Sequence, residues 1–229
     1  MIEADVIIPV WNHLDLTQRA IASVRENTTV PYRLIVVDDG STDGTAAWLA
    51  VQRDIVVITN ETNQGFAHAV NRGLGVATAS YVALLNNDVD VDKGWLATLI
   101  EGLGSGPKIG AIGPLSTAKQ MQWEGYHRAE SGVVPIEQQG PVSLAFFCVV
   151  LRREVIDEVG LLDEGFAPAY GEDNDYAIRM KKAGWEQAIC CDVLVKHAEK
   201  ATTQPTGMVE AWREQARRRL REKWPGEGF

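Results

Sequence analysis

Short apolar runs alternate with longer segments whose apolar positions recur at helical spacing through the first part of the chain. "ADVIIPV" (4–10), "RLIVVDD" (33–39), "DIVVITN" (54–60) and "SYVALLNND" (80–88) are brief, β-branched runs that predict buried strands. Between them, "LDLTQRAIASVREN" (14–27) carries Leu14, Ala20, Ile21 and Val24 at helical spacing. "GSTDGTAAWLAVQ" (40–52) opens a second helix with Ser and Thr as cap candidates, and "GFAHAVNRGLGVAT" (65–78) predicts a third. This alternation predicts an α/β class: a Rossmann-like, mostly parallel central sheet flanked by helices, with ligands at the strands' carboxyl ends.

The pattern then loosens. "WLATLIEGL" (95–103) predicts a short helix and "KIGAIGPL" (108–115) a strand. Residues 116–142, rich in Gln, Gly, Glu and Ser, predict a long excursion with a short strand or two. "SLAFFCVVLRREVIDEVG" (143–160) reads as a strand running into a helix, "EDNDYAIRMKKAGW" (172–185) as a helix and "QAICCDVLVKHA" (187–198) as a last strand. The tail "MVEAWREQARRRLREKW" (208–224) predicts a helix with Trp212, Ala216, Leu220 and Trp224 on one stripe.

Composition narrows the function classes. The 229 residues are 45% hydrophobic, enough for one sizeable core. A net charge of −9 argues against general nucleic-acid binding, which leans on basic surface. Three cysteines, Cys148, Cys190 and Cys191, make a poor disulfide framework and a poor zinc site, which fits a reducing, cytoplasmic setting. The first ten residues carry two acids and no basic run, so no secretory leader is expected. The longest apolar run, "LAFFCVVL" (144–151), falls short of the ~20 residues a membrane helix needs. Neither G-x-G-x-x-G after a strand nor G-x-x-x-x-G-K-[ST] occurs, against a nicotinamide or P-loop enzyme.

The strand ends carry the chemistry. They run out into "PVWN", "VVDDGS", "TNETNQG" and "NNDVDVD", which a parallel sheet would gather on one edge. Asp88, Asp90 and Asp92 crowd like charges that a divalent cation would reconcile. In an extended segment Asp88 and Asp90 would point the same way. Alternatively, the acids form a solvated turn ahead of the helix at 95–103, and Asp38 and Asp39 cap the helix that follows them. A second acidic group, Glu172, Asp173 and Asp175, opens a helix, where acids also complement the helix dipole.

"VIIPVWN", "VVDDGSTDGT", "NQGFAHAVNRG", "LLNNDVDVD" and "GEDNDYAIRMKKAGW", in that order, resemble a family-2 glycosyltransferase over about residues 4–200. The resemblance implies a GT-A fold and inverting sugar transfer from a UDP- or dTDP-linked donor to a hydroxyl acceptor, assisted by Mn2+ or Mg2+. It implies that Asp88-Val89-Asp90 is a D-x-D motif with Asp90 the direct metal ligand, Asp88 toward the ribose or sugar, and His197 reaching the metal or diphosphate. It assigns Asp39 to the pyrimidine ring and Asp38 to the turn. Pro9, Trp11 and Asn12 fall on the loop around base and ribose, although the family more often has Tyr or Phe at Trp11, where core packing is the other reading. Asn63, Gly65, Asn71 and Asn87 fall on the donor site. Asp173 matches the general base, beside Glu172.

The implied division is a catalytic domain over 1–207, donor half 1–92 and acceptor half 93–207, with a basic amphipathic helix over 208–229. That helix is expected to dock on the catalytic domain or a second subunit in preference to an anionic membrane surface, with the stripe too narrow for a large lipid footprint. Two rival readings stay open: a sugar nucleotidyltransferase, though "PVWNHLDLTQR" lacks the glycine-rich basic loop it would want, and a non-catalytic nucleotide-sugar-binding module.

Overall fold

The computed structural model describes residues 3–117, 131–136, 143–198 and 208–229. In chain order its elements are β1 (Ala4–Val10), α1 (Leu14–Asn27), β2 (Tyr32–Asp38), α2 (Thr45–Leu49), β3 (Ile55–Thr59), α3 (Phe66–Leu74) and β4 (Tyr81–Leu85). There follow β5 (Val89–Asp90), α4 (Trp95–Leu103), β6 (Ile109–Ser116), β7 (Val133–Pro135), β8 (Cys148–Arg152) and α5 (Arg153–Val159). A 3-10 turn (Glu164–Phe166), α6 (Glu172–Lys182), β9 (Glu186–His197) and α7 (Val209–Lys223) complete the chain.

The strands join in the order β3-β2-β1-β4-β8-β6-β9-β5, with β7 on β9. The four N-terminal strands are parallel, β8 is antiparallel to both its neighbours, and β6 and β9 run parallel. Both faces of the sheet are covered, which explains the continuous apolar runs. Val6 and Ile8 point to the layer holding α1 and α4, while Ile7 points to the layer holding α3, α5 and α6.

Several boundaries depart from the sequence pattern for local reasons. The helix read at 40–52 is only Thr45–Leu49, because residues 40–44 make a loop around Asp43. The Asp43 carboxylate accepts from Thr45 N–H at 3.1 Å and from Leu14 N–H at 3.1 Å, so one acid caps two helices and the expected Ser and Thr caps do not. The strand read from residue 143 starts at Cys148, since Leu144 to Phe147 leave the sheet edge. The excursion read at 116–142 contributes β7, and its residues 118–130 and 137–142 lie outside the described residues.

Helix α7 packs on the sheet domain. Ala216 and Leu220 are buried against Phe166, with Tyr170 and Trp224 alongside. Asp163 binds the Arg219 guanidinium at 2.9 Å and the Lys223 ammonium at 2.6 Å, and the Trp224 indole donates to Asp175 Oδ1 at 2.8 Å. Docking on this chain is thus what the stripe does, with Trp212 and Trp224 half-buried at its ends. Among the described residues no helix is long and apolar enough to cross a membrane.

Candidate active site

The carboxyl ends of β1, β2 and β4 and the chain before β8, α6 and α7 enclose a cavity of about 420 Å³. Pro9, Trp11, Asp39, Asn63, Gly65, Asn87, Asp88, Glu172, Asp173 and His197 all line it. Ten of the candidate residues, drawn from segments far apart in sequence, therefore meet at one place. Trp11 stands 36% exposed there and is not core packing.

Four candidates serve the walls from behind. Asn12, at φ 58°, joins the first two strand ends: its N–H donates to Ser41 Oγ at 2.7 Å and its Oδ1 accepts from Thr42 N–H at 2.8 Å. Asp38 Oδ1 accepts from Ser41 N–H at 3.0 Å, holding the turn as expected. Asn71 Nδ2 donates to the Leu162 carbonyl at 3.0 Å and its Oδ1 accepts from Leu162 N–H at 2.9 Å, tying α3 to the segment after α5. Asp90 forms an ion pair with Arg19 of α1 and does not line the cavity.

The turn at Asn87-Asp88 explains the split between the two aspartates. Side-chain direction alternates only along extended chain. Asp88 sits in a turn, whereas Asp90 belongs to β5, so the expected common direction is lost. Asp88 faces His197 instead. Strand β9 pairs with β6, slips register between Pro114 and Leu115, then runs on to pair His197 with Val89. Its Nε2 comes within 3.2 Å of Asp88 Oδ1, while the Phe147 ring stacks on the imidazole with centroids 4.9 Å apart. The approach lacks hydrogen-bond alignment, since buried Asp88 Oδ1 has no hydrogen-bond partner; the ring's other nitrogen, His197 Nδ1, is likewise buried and unpaired.

A carboxylate oxygen and an imidazole nitrogen converging on one cavity fit a divalent cation such as Mn2+ or Mg2+. Among the described residues no cluster of three metal-ligating side chains occurs. Asp88 and His197 would thus hold the ion together with oxygens of a bound phosphate, the usual arrangement for Mg2+.

Asp39, which lines the cavity, also holds a loop. Its carboxylate accepts from Asn60 Nδ2 at 2.7 Å, Gln64 N–H at 3.0 Å and Gly65 N–H at 2.8 Å. Three donors occupy most of its acceptor capacity, so it anchors the loop at 60–65 under the cavity. Gly65 is needed there: at φ 95° a Cβ would lie 2.9 Å from the Pro168 carbonyl oxygen.

The second acidic pair lies at the N-terminus of α6. Glu172 is buried, and its Oε2 has no partner. Burial, and then the adjacent Asp173 charge, push its pKa well above the carboxylate range. Burial also raises Asp173, which keeps partial access to solvent through the cavity mouth. Asp175 turns away to Arg179 and Trp224, separating it from the pair as the helix period requires.

Residues 5–160 match the family described as Glycosyl transferase family 2. The chain belongs to that family. Among curated relatives, a pre-mycofactocin glycosyltransferase of Mycobacterium tuberculosis is 30% identical over 196 residues, covering 80% of this chain and 40% of the relative. An N-acetylglucosaminyl-diphospho-decaprenol L-rhamnosyltransferase of the same species is 28% identical over 228 residues, covering 81% of this chain and 73% of the relative. The chain thus spans about two fifths of the first relative's length and about three quarters of the second's. Of solved structures, a mannosyltransferase from Pyrobaculum calidifontis in complex with GDP-Man and Mn2+ superposes with TM-score 0.72 at 19% identity, over 91% of this chain and 60% of that one. GalNAc-T7 with UDP, GalNAc and Mn2+ gives TM-score 0.70 at 16% identity, over 86% of this chain and 44% of that one. These likenesses confirm the GT-A fold.

The family-2 chain's cavity also takes in residues the sequence pattern did not single out. Asn86, Phe146, Phe147 and the loop Pro168–Tyr170 line it, as do Trp212 and Arg213 of α7. "LAFF" carried a signal only as an apolar run, which strand burial explained equally well. Trp212 and Arg213 were legible as parts of an amphipathic helix, yet nothing in that pattern said which cavity the helix would reach.

Proposed function

We propose that this family-2 chain catalyses inverting transfer of a hexosyl or deoxyhexosyl group from a nucleoside-diphosphate sugar, UDP- or dTDP-linked, to an acceptor hydroxyl. The observation that carries the reading is one cavity holding both the Asp88–His197 pair and the acids Glu172 and Asp173. The relative named a rhamnosyltransferase and the neighbours bound to GDP-Man or UDP support the donor class.

In this mechanism Pro9, Trp11, Asn63 and Gly65 form the donor wall, and Glu172 and Asp173 face the acceptor. Ionised Asp173 takes the proton of the acceptor hydroxyl as that oxygen attacks the anomeric carbon. The bond from that carbon to the diphosphate breaks, and its electron pair leaves with the nucleoside diphosphate. Attack opposite the leaving group inverts the anomeric centre. Asp88 and His197 would hold a divalent cation, which would supply Lewis-acid stabilisation of the departing diphosphate. Glu172, kept neutral by burial, adds no second charge beside the base.

The test is donor consumption by the purified chain with Mn2+ and a panel of UDP-, dTDP- and GDP-sugars. Asp173→Asn is expected to leave donor affinity within about threefold while lowering turnover by ~10²-fold or more. Failure to bind any Mn2+–nucleoside diphosphate would overturn the reading.

A further inference from the structure

Helix α7 contributes to the cavity as well as to stability. It is held by Asp163 and Asp175 at its far end and by Ala216 and Leu220 along its middle, which leaves its first turn at the cavity wall. The loop between the 3-10 turn and α6 transmits that position. On one side, Phe66 N–H donates to the Pro168 carbonyl at 3.1 Å. On the other, Gly171 at φ 90° lies so close to α7 that a Cβ would sit 3.1 Å from Ala216 Cβ. Between the two stands Tyr170 at φ 77°, a strained conformation for an aromatic residue that only surrounding contacts sustain.

Arg213 caps this arrangement. Its guanidinium lies over the Tyr170 ring, 5.1 Å from the centroid. Its only ion pair among the described residues is a loose one, 3.8 Å to the exposed Glu210. Trp212 beside it, half-buried, also lines the cavity. An indole face suits the C–H side of a sugar ring, and a weakly paired guanidinium suits two oxygens of a phosphate. Through the Tyr170 ring under Arg213, both adjoin the segment that runs on into Glu172 and Asp173.

We propose that Trp212 and Arg213 of α7 form the acceptor subsite and select a saccharide bearing a phosphate group. This deepens the glycosyltransferase reading and rests on it. The phosphate would be that of a sugar phosphate or of a lipid-linked diphosphate, one chemistry from two sources.

Calorimetry on the full chain with three probes tests the proposal: Mn2+–UDP, N-acetylglucosamine, and N-acetylglucosamine 1-phosphate in the presence of Mn2+–UDP. A farnesyl-diphosphate-linked N-acetylglucosamine serves as a fourth probe for the lipid-linked source. The parent is expected to bind the phosphorylated sugars at least about tenfold more tightly than the neutral one, the worth of a charge-assisted hydrogen bond. Arg213→Gln should erase that preference, Arg213→Lys should restore part of it, and Trp212→Ala should weaken every sugar probe. Tighter binding of the farnesyl probe than of the 1-phosphate assigns the lipid-linked source; equal binding assigns the sugar phosphate. Equal affinity of the parent for neutral and phosphorylated sugar would overturn the proposal, as would loss of Mn2+–UDP binding in Arg213→Gln, which would move Arg213 to the donor. If the parent itself binds no Mn2+–nucleoside diphosphate, the underlying glycosyltransferase reading is what has failed.

Discussion

The two aspartates of "NNDVDVD" show how far a single side chain's role depends on local backbone. Asp88 is delivered to the cavity by a turn, and Asp90 is carried by a strand toward Arg19. Asp88→Ala is expected to weaken Mn2+-dependent nucleotide binding by roughly 10- to 100-fold, at least the effect of losing an outer metal contact. Asp90→Ala should change it by less than about threefold, because an exposed ion pair contributes about 0–1 kcal/mol. Titration calorimetry with Mn2+–UDP separates the two, and the reverse order of effects would return the metal to Asp90. Asp173 makes its own prediction. Burial raises its pKa, so the acidic limb of kcat/KM should lie above the ordinary aspartate value of about 3.9. A pH–rate profile reads this directly, and a limb at the ordinary value would remove Asp173 from the role of base.

At the scale of elements, α7 is a docked helix whose anchors are ionic at one end and apolar in the middle. Leu220→Ala removes a buried side chain from a small cluster and should destabilise by about 2 kcal/mol, the low end for such sites. Truncation after residue 207 should lower the melting temperature and uncover an aromatic patch; unchanged stability would show that α7 is not held in solution. The anchor has a pH signature as well. Burial works against ionised Asp163, yet Lys223, the Gly165 N–H and Arg219 outweigh it and hold its pKa at about 2. An aspartate with a lowered native pKa stabilises above its unfolded value and loses that contribution as pH falls through the native one. Tryptophan fluorescence should therefore report release of α7 between about pH 4 and about pH 2. Asp163→Asn should flatten that transition.

For the molecule as a whole, buried Glu172 makes stability depend on pH. Its native pKa is raised, so between the unfolded value of about 4.3 and the native one the folded state holds more protons. Its favourable contribution is complete below about pH 4.3 and is lost as pH rises through the native value. Glu172→Gln should match the parent near pH 4 and melt roughly 2–4 °C higher near pH 9. Differential scanning calorimetry at both values checks the sign, and a lower melting point for the variant at high pH would contradict the buried-acid account.

What the sequence by itself determined is the N-terminal half of the sheet: the alternation of strands and helices, and the gathering of Pro9, Trp11, Asn63, Gly65 and Asp88 at one sheet edge. Parallel strands joined by helices leave little choice about which ends meet, so periodicity alone carries that far. Asp5 shows where the local reading thins. Inside an apolar run it is fully buried, accepting from Thr78 and Ala79 N–H groups and pairing with Arg33, partners that lie far along the chain. Only the tertiary structure decided the other wall. His197 reaches Asp88 because β9 slips register against β6 before pairing with β5, and a slip leaves no mark in hydrophobic alternation. Asp39's carboxylate was claimed by backbone N–H groups of residues 64 and 65, donors that every sequence contains and none displays. Trp212 and Arg213 entered the cavity because Asp163 and Asp175 fix where α7 lies, and contacts between distant segments follow from packing in three dimensions, which a one-dimensional pattern does not encode.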